Sequence, residues 1–230
     1  MCGRYTLTDI EELITRFQAE PGGFELTPRY NVAPEQFQPV VIRDEKNRLE
    51  LMQWGLTLFW SKDQQSRLIN AKIEGILTKP SFRRPIRFHR CLVPATGFYE
   101  WKKEPSGKAP YYIHRKDGNL FAFAGIYDIR KDPSENEIKT FAILTTAPND
   151  LLAPVHNRMP LILQPEQEIQ WLTTEPGKLD QLLKSLQPLP QDQLEMYPVS
   201  RMVNWVRNDS PQLIQKEDRT ADSGFLIAPR

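Results

Sequence analysis

The sequence predicts an α+β protein, a single domain with a barrel-like, mostly antiparallel β-sheet core and a few peripheral helices. Three observations carry that expectation. Short apolar runs bounded by turn residues recur along the chain and outnumber the stretches with helical periodicity. The 20 prolines among 230 residues favour loops and turn-rich β structure over a helical bundle. No repeat, low-complexity linker or domain boundary interrupts the pattern, so strands and helices are expected to share one core. The domain is read as residues 1–214, and residues 215–230 as a polar, loosely ordered tail.

Taken in order, Thr8-Asp9-Ile10-Glu11 has the form of a capping box, and Ile10, Leu13, Ile14 and Phe17 share one helical face. A helix is expected there, ended by Pro21-Gly22-Gly23. Tyr30-Asn31-Val32-Ala33-Pro34 reads as irregular, and residues 40–42 and 49–54 as a hairpin around 44–48. Trp54-Gly55-Leu56 then runs into an aromatic turn at Phe59 and Trp60. Asn70-Ala71-Lys72-Ile73-Glu74 reads as the start of a helix that ends before Pro80. A basic run over 83–90 leads into a strand at Cys91-Leu92-Val93-Pro94, and Phe98-Tyr99-Glu100-Trp101 forms another. A polar, proline-flanked loop is expected over 102–110, followed by a strand at 111–114. The turn Lys116-Asp117-Gly118-Asn119 links it to an apolar strand at 120–127. Residues 138–146, 161–163 and 194–199 are the remaining strands, and 149–152, 165–171 and 178–186 the remaining helices.

Composition narrows the function. Hydrophobic residues at 40% and charged residues at 26% describe a globular protein with a sizeable core. A net charge of +1 argues against a polybasic binder, so any nucleic-acid surface is local. The two cysteines form no CxxC pair and the three histidines lack metal-ligand spacing, so neither a metal nor another cofactor is expected. A reduced state is the simpler reading than a Cys2–Cys91 disulfide. No signal-peptide core follows Met1 and no run reaches the ~18 apolar residues of a membrane span. The expected setting is the cytoplasm, or the nucleoid if bacterial, with the protein as a monomer.

The chemistry starts at Met1-Cys2-Gly3-Arg4-Tyr5. Initiator methionine is commonly trimmed before a small residue. Trimming here leaves Cys2 with a free α-amine (reference pKa roughly 7.7–8.0) and a thiol (about 8.5) on adjacent carbons. Such a 1,2-aminothiol condenses with an aldehyde through a Schiff base and closes a thiazolidine ring. It can also attack an acyl group with its own amine as base. On this pentapeptide alone, an ordinary terminus is the better explanation of Cys2.

Six motifs recur in one order: Cys2-Gly3-Arg4-Tyr5; Tyr30-Asn31-Val32-Ala33-Pro34; Trp54-Gly55-Leu56; Asn70-Ala71-Lys72-Ile73-Glu74; Arg90-Cys91-Leu92-Val93-Pro94 with Gly97-Phe98-Tyr99-Glu100-Trp101; and His156-Asn157-Arg158-Met159-Pro160. This series resembles the SRAP family, the SOS-response-associated peptidase-like proteins that shield abasic sites in single-stranded DNA. The resemblance runs from Cys2 to about Ile214. It implies that Cys2, exposed by loss of Met1, forms a covalent thiazolidine with the ring-opened deoxyribose aldehyde, and that Asn70, Glu100 and His156 complete the site. The family name records a suspected autoproteolytic activity, here the removal of what precedes the cysteine.

Those roles are chemically coherent. The abasic sugar is mostly a closed hemiacetal, and Glu100 can move the protons that open it. His156 offers an imidazole that can protonate the sugar oxygen or hold a phosphate. Asn70 offers a donor and an acceptor to orient amine or sugar. Taken singly, each has a plainer explanation: an edge-strand glutamate, a structural histidine, a helix N-cap. For the strand, Arg4, Asn31, Lys72, Arg83 and Arg84 are the candidate polar and phosphate ligands, while Pro34, Trp60 and Trp101 are candidates to stack on or wedge between bases. Arg87 and Arg90 are read as solvated. Lys72 stands where the family usually has arginine, Gly75 where threonine is customary and Leu58 where proline is common. These departures touch affinity rather than chemistry.

Two other readings stay open at this level. A Met-Cys-Gly start also resembles N-terminal-nucleophile glutamine amidotransferases, which need an oxyanion hole and a larger ammonia-receiving domain; a glutaminase assay separates them. A plain single-strand-binding module would bind intact and abasic strands equally, with no covalent product.

Overall fold

The structure, a computed structural model, describes residues 2–58, 67–105, 107–132 and 134–218. Its strands in chain order are β1 (Tyr5–Leu7), β2 (Ala19–Glu20), β3 (Arg29–Val32), β4 (Phe37–Arg43), β5 (Asn47–Trp54), β6 (Asn70–Lys72) and β7 (Arg90–Ala95). They continue with β8 (Gly97–Glu104), β9 (Gly107–Arg115), β10 (Phe121–Lys131), β11 (Glu137–Thr146), β12 (Met159–Pro160), β13 (Ile162–Leu163) and β14 (Leu194–Pro198). The α-helices are short: α1 (Leu13–Phe17), α2 (Pro85–Phe88), α3 (Pro165–Thr173) and α4 (Leu179–Ser185).

The hairpin expected around 44–48 seeds a closed barrel. β4 and β5 pair antiparallel from Phe37↔Gln53 to Arg43↔Asn47. β4 meets β7 at Val41↔Leu92, β7 runs antiparallel to β10, and β10 to β11. The ring closes because β11 lies parallel to β5 at Thr140↔Gln53 and Phe141↔Trp54. Closure removes the exposed edges an open sheet would carry. Trp54 is fully buried, stacked on Phe141 at 6.4 Å between centroids and meeting Tyr5 edge-on at 5.2 Å. An aromatic of this kind hides roughly 150–250 Å², worth ~4–6 kcal/mol at ~25 cal/mol per Å². Its Nε1–H donates to the Ile69 carbonyl at 2.9 Å. The α+β barrel expectation is met.

A second sheet, in the order β14-β9-β8-β1-β3, stands beside the barrel. One stretch feeds both, since β7 ends at Ala95 and β8 begins at Gly97. A Cβ on Gly97 would lie 2.3 Å from the Tyr112 hydroxyl, so only glycine lets that hydroxyl reach Thr6 at 2.9 Å. This contact ties β1, and with it the N-terminus, to β9 across β8.

Several local expectations are corrected. The Thr8 capping box does not form: Thr8 Oγ1 donates to Asp9 Oδ1, and a 3-10 turn over Ile10–Glu12 precedes α1. The helix stops at Phe17, because Gln18 turns left-handed (φ 47°) and Ala19–Glu20 joins β5. Of its apolar face, Leu13 and Phe17 are buried while Ile14 is exposed. Residues 29–32, read as irregular, are β3 paired with β1. Residues 70–72 are a strand paired parallel to β11, not a helix start. The expected loop at 102–110 is instead a long hairpin, with β8 and β9 in register from Gly97↔His114 to Glu104↔Gly107. The basic run contains α2, with Pro85 at its first turn. Residues 149–152 make a hydrogen-bonded turn, Leu152 N–H donating to the Asn149 carbonyl at 3.1 Å. Residues 219–230 of the expected tail lie outside the described residues.

Candidate functional site

The N-terminus is positioned by strand pairing. β1 runs antiparallel to β8 with Tyr5 opposite Phe98, and Tyr99 N–H donates to the Arg4 carbonyl at 3.0 Å. Arg4, Tyr5 and Thr6 thus run alongside Gly97, Phe98 and Tyr99. The first and fifth sequence motifs therefore lie side by side. Cys2 is fully buried, and its carbonyl accepts from Asn70 Nδ2 at 2.8 Å. Asn70 is placed there by β6, whose three residues pair with Ile143, Leu144 and Thr145 of β11. Its Oδ1 is buried and makes no hydrogen bond with another described residue.

The electrostatics favour a protonated thiol. Burial lifts the Cys2 thiol well above the ordinary cysteine range, and the nearby Glu100 carboxylate pushes it the same way. Glu100 itself is only 3% exposed. It lines a cavity of about 390 Å³ together with Arg4, Trp101, Lys108, His156 and Asn204. Two larger clefts, of about 480 and 490 Å³, lie beside α3 and hold none of the candidate site residues. Chemistry, not size, picks the site.

His156 is held by its own turn: its Nδ1 lies 3.0 Å from Arg158 N–H and 3.2 Å from the Arg158 carbonyl. The Arg158 guanidinium forks onto Glu74 at 2.6 and 2.8 Å and also donates to the Thr145 carbonyl. That hydrogen-bonded fork holds the Glu74 carboxyl below its usual range. The His156 turn is thereby tied to β11 and to the residues just after β6.

A third group of contacts anchors the chain after β14. Arg4 Nη1 donates to Asn31 Oδ1 and to the Val203 carbonyl, both at 2.7 Å. Partial burial lowers its pKa without threatening its charge. Asn31, fully buried, donates through Nδ2 to the carbonyls of Val203, Trp205 and Asn208. Trp101 Nε1–H donates to Asn204 Oδ1 at 2.8 Å.

The structure thus brings together Cys2, Arg4, Asn70, Glu100, Trp101 and His156, with Asn31 as support behind Arg4. Lys72 is exposed on β6, two residues from Asn70. Pro34 is half-buried and does not line the cavity. Arg83 and Arg84 are exposed before α2, and Arg84 pairs with buried Asp128 of β10 at 2.8 Å. Neither lines the cavity. Trp60 lies outside the described residues. Arg90, read as solvated, is buried and donates to the Trp171 and Ile86 carbonyls; Arg87 donates to the Leu77 and Arg83 carbonyls. Cys2 and Cys91 are both free thiols. Sequence reasoning missed Lys108, Asn204 and the Glu74–Arg158 fork. Glu74 and Arg158 stood inside motifs with no sign that they pair, and Lys108 fell in a supposed loop. Nothing in the sequence singled out Asn204.

Among the described residues no three His, Cys, Asp or Glu side chains are grouped to hold a metal ion, and no helix is long and apolar enough to cross a membrane.

Comparison with known proteins places the chain in a family. A family model described as SOS response associated peptidase (SRAP) matches residues 1–206. The abasic site processing protein YoqW of Bacillus subtilis is 44% identical over 223 residues, covering 94% of this chain and 99% of that protein. The abasic site processing protein YedK of Escherichia coli is 33% identical, also covering 94% and 99%. A crystal structure of a protein from Bacteroides thetaiotaomicron matches with a TM-score of 0.84 at 29% identity, covering 94% of this chain and all of that one.

Proposed function

The chain belongs to the SOS response associated peptidase family, and from that premise we propose that it processes abasic sites in single-stranded DNA through a covalent bond to Cys2. The observation that carries this reading is the company Cys2 keeps. A buried thiol one residue from the chain start has Asn70 on its carbonyl, the Glu100 carboxylate close enough to raise its pKa, and a cation-lined cavity alongside.

Loss of Met1 frees the Cys2 amine. The abasic sugar opens when a proton leaves the C1′ hydroxyl and another reaches the ring oxygen, a transfer suited to Glu100 and His156. The neutral amine adds to the C1′ aldehyde, and the resulting carbinolamine loses water to give an imine. Sγ then adds to the imine carbon while the thiol proton ends on nitrogen, closing the thiazolidine. Because the thiol is held protonated, that last step needs a base, and Glu100 fits the role. Asn70, with one buried acceptor still unsatisfied, suits the new α-amine as a hydrogen-bond donor. Arg4 and Lys108 offer positive charge to the flanking phosphates, and Trp101 a stacking face. The deciding experiment is intact mass spectrometry after mixing with an abasic oligonucleotide. A Cys2→Ala variant that forms the same heat-stable adduct at wild-type yield would remove the proposal.

A further inference from the structure

Residues 201–207 read Arg-Met-Val-Asn-Trp-Val-Arg, and of the seven only Val203 is buried. Met202, Trp205 and Val206 are 44, 57 and 43% exposed, three large apolar side chains left open within five residues. Arg201 and Arg207 flank it, are exposed, and make no ion pair or hydrogen bond with another described residue. The segment is nevertheless fixed. Arg4 and Asn31 take the carbonyls of Val203, Trp205 and Asn208 from beneath, and Trp101 takes the Asn204 side chain. Asn204 meanwhile lines the cavity, so this surface begins at the edge of the site.

An exposed indole between two unneutralised arginines, prepositioned beside a cationic cavity, has the chemistry that single-stranded nucleic acid requires: flat faces for bases and cations for phosphates. We propose that 201–207 is a stacking platform for the strand flanking the reacting nucleotide, with a base on Trp205 and phosphates on Arg201 and Arg207. The identity of the polymer rests on the function proposed above. The positive charge of Arg201 and Arg207, with Arg4 bonded to the same segment and Lys108 on the cavity that Asn204 lines, favours it over a protein partner.

The test measures binding of the full chain to an intact 20-nucleotide thymidine strand carrying no abasic site, over a salt series. Trp205→Ala should weaken binding by about 5- to 150-fold, the loss of one stacked base, and Trp205→Phe should recover most of it. Arg201→Gln with Arg207→Gln should lower the slope of log K against log salt by about 1.4, at ~0.7 per phosphate. Wild-type affinity and slope in these variants overturn the platform, as does an equal loss in Trp205→Ala and Trp205→Phe. The two proposals fail separately. A wild-type protein that crosslinks abasic strands while the variants bind normally refutes only the platform. One that binds through Trp205 yet never crosslinks refutes only the covalent function.

Discussion

Glu100→Gln separates two things that a buried carboxylate beside Cys2 can do. Its charge helps raise the thiol pKa, so if it acted only as an electrostatic neighbour, removing that charge would let the thiol ionise more readily and crosslinking would speed up. As the acid and base of ring opening and closure, its removal should slow crosslinking by ~10²–10⁴-fold, a barrier increase of about 2.7–5.4 kcal/mol. The signs are opposite, which makes the experiment decisive. Glutamine keeps the shape at a 3% exposed position, so packing is not the variable. Single-turnover crosslinking to an abasic oligonucleotide, resolved on denaturing gels from about pH 5 to 9, gives the rate, and anisotropy on an intact strand checks that binding persists. A rate equal to or above wild type across that range would refute the proton-transfer role.

Other outcomes follow from the same contacts. Asn31→Ala removes donors to three carbonyls and an acceptor for Arg4, which should cost ~2–4 kcal/mol and roughly 5–15 °C in Tm; hydrogen exchange should rise selectively over 203–208. Trp101→Ala should weaken single-strand binding by ~1–3 kcal/mol, and unchanged affinity would assign Trp101 to packing alone. The Glu74 carboxyl titrates below its usual value because of Arg158. The stability it adds is therefore complete above the ordinary carboxyl pKa of ~4.3 and lost as pH falls through the folded value. Glu74 is 55% exposed, so Glu74→Gln should lower stability at pH 7 by no more than about 1 kcal/mol. Thermal melts should show the two proteins converging as pH falls below the ordinary carboxyl range.

How much was legible depended on whether the cause was local. The β4–β5 hairpin, the apolar cores of β10 and β11, and α3 with Pro165 at its first turn were readable because neighbouring residues fix them. β6 was misread since its three residues are held by β11, more than 70 positions away, while Asn70 locally resembles an N-cap. The outer part of the β8–β9 hairpin, 102–110, was taken for a loop because its residues are mostly polar, glycine or proline. Cys2, Glu100 and His156 were found through the ordered series of motifs, and no single one of them would have sufficed. Asn204 is held at the cavity by Trp101 and Arg4, contacts between distant residues that leave no mark in sequence. Arg84, a ligand candidate by its sequence, also pairs with Asp128 of β10, a partner that only the fold reveals.

The central claim is that amine and thiol of one residue act together, and blocking the amine tests it most directly. A variant with a non-cleavable extension ahead of Cys2 keeps the thiol, Glu100 and the cavity residues. Processed wild type, mixed with an abasic strand and analysed by denaturing intact mass spectrometry, should gain the mass of the oligonucleotide less one water. The blocked form can make only a hemithioacetal, so it should bind the strand yet show no adduct after heating. A heat-stable adduct at full yield from the blocked protein would contradict the mechanism and turn attention to Lys108, the lysine that lines the cavity.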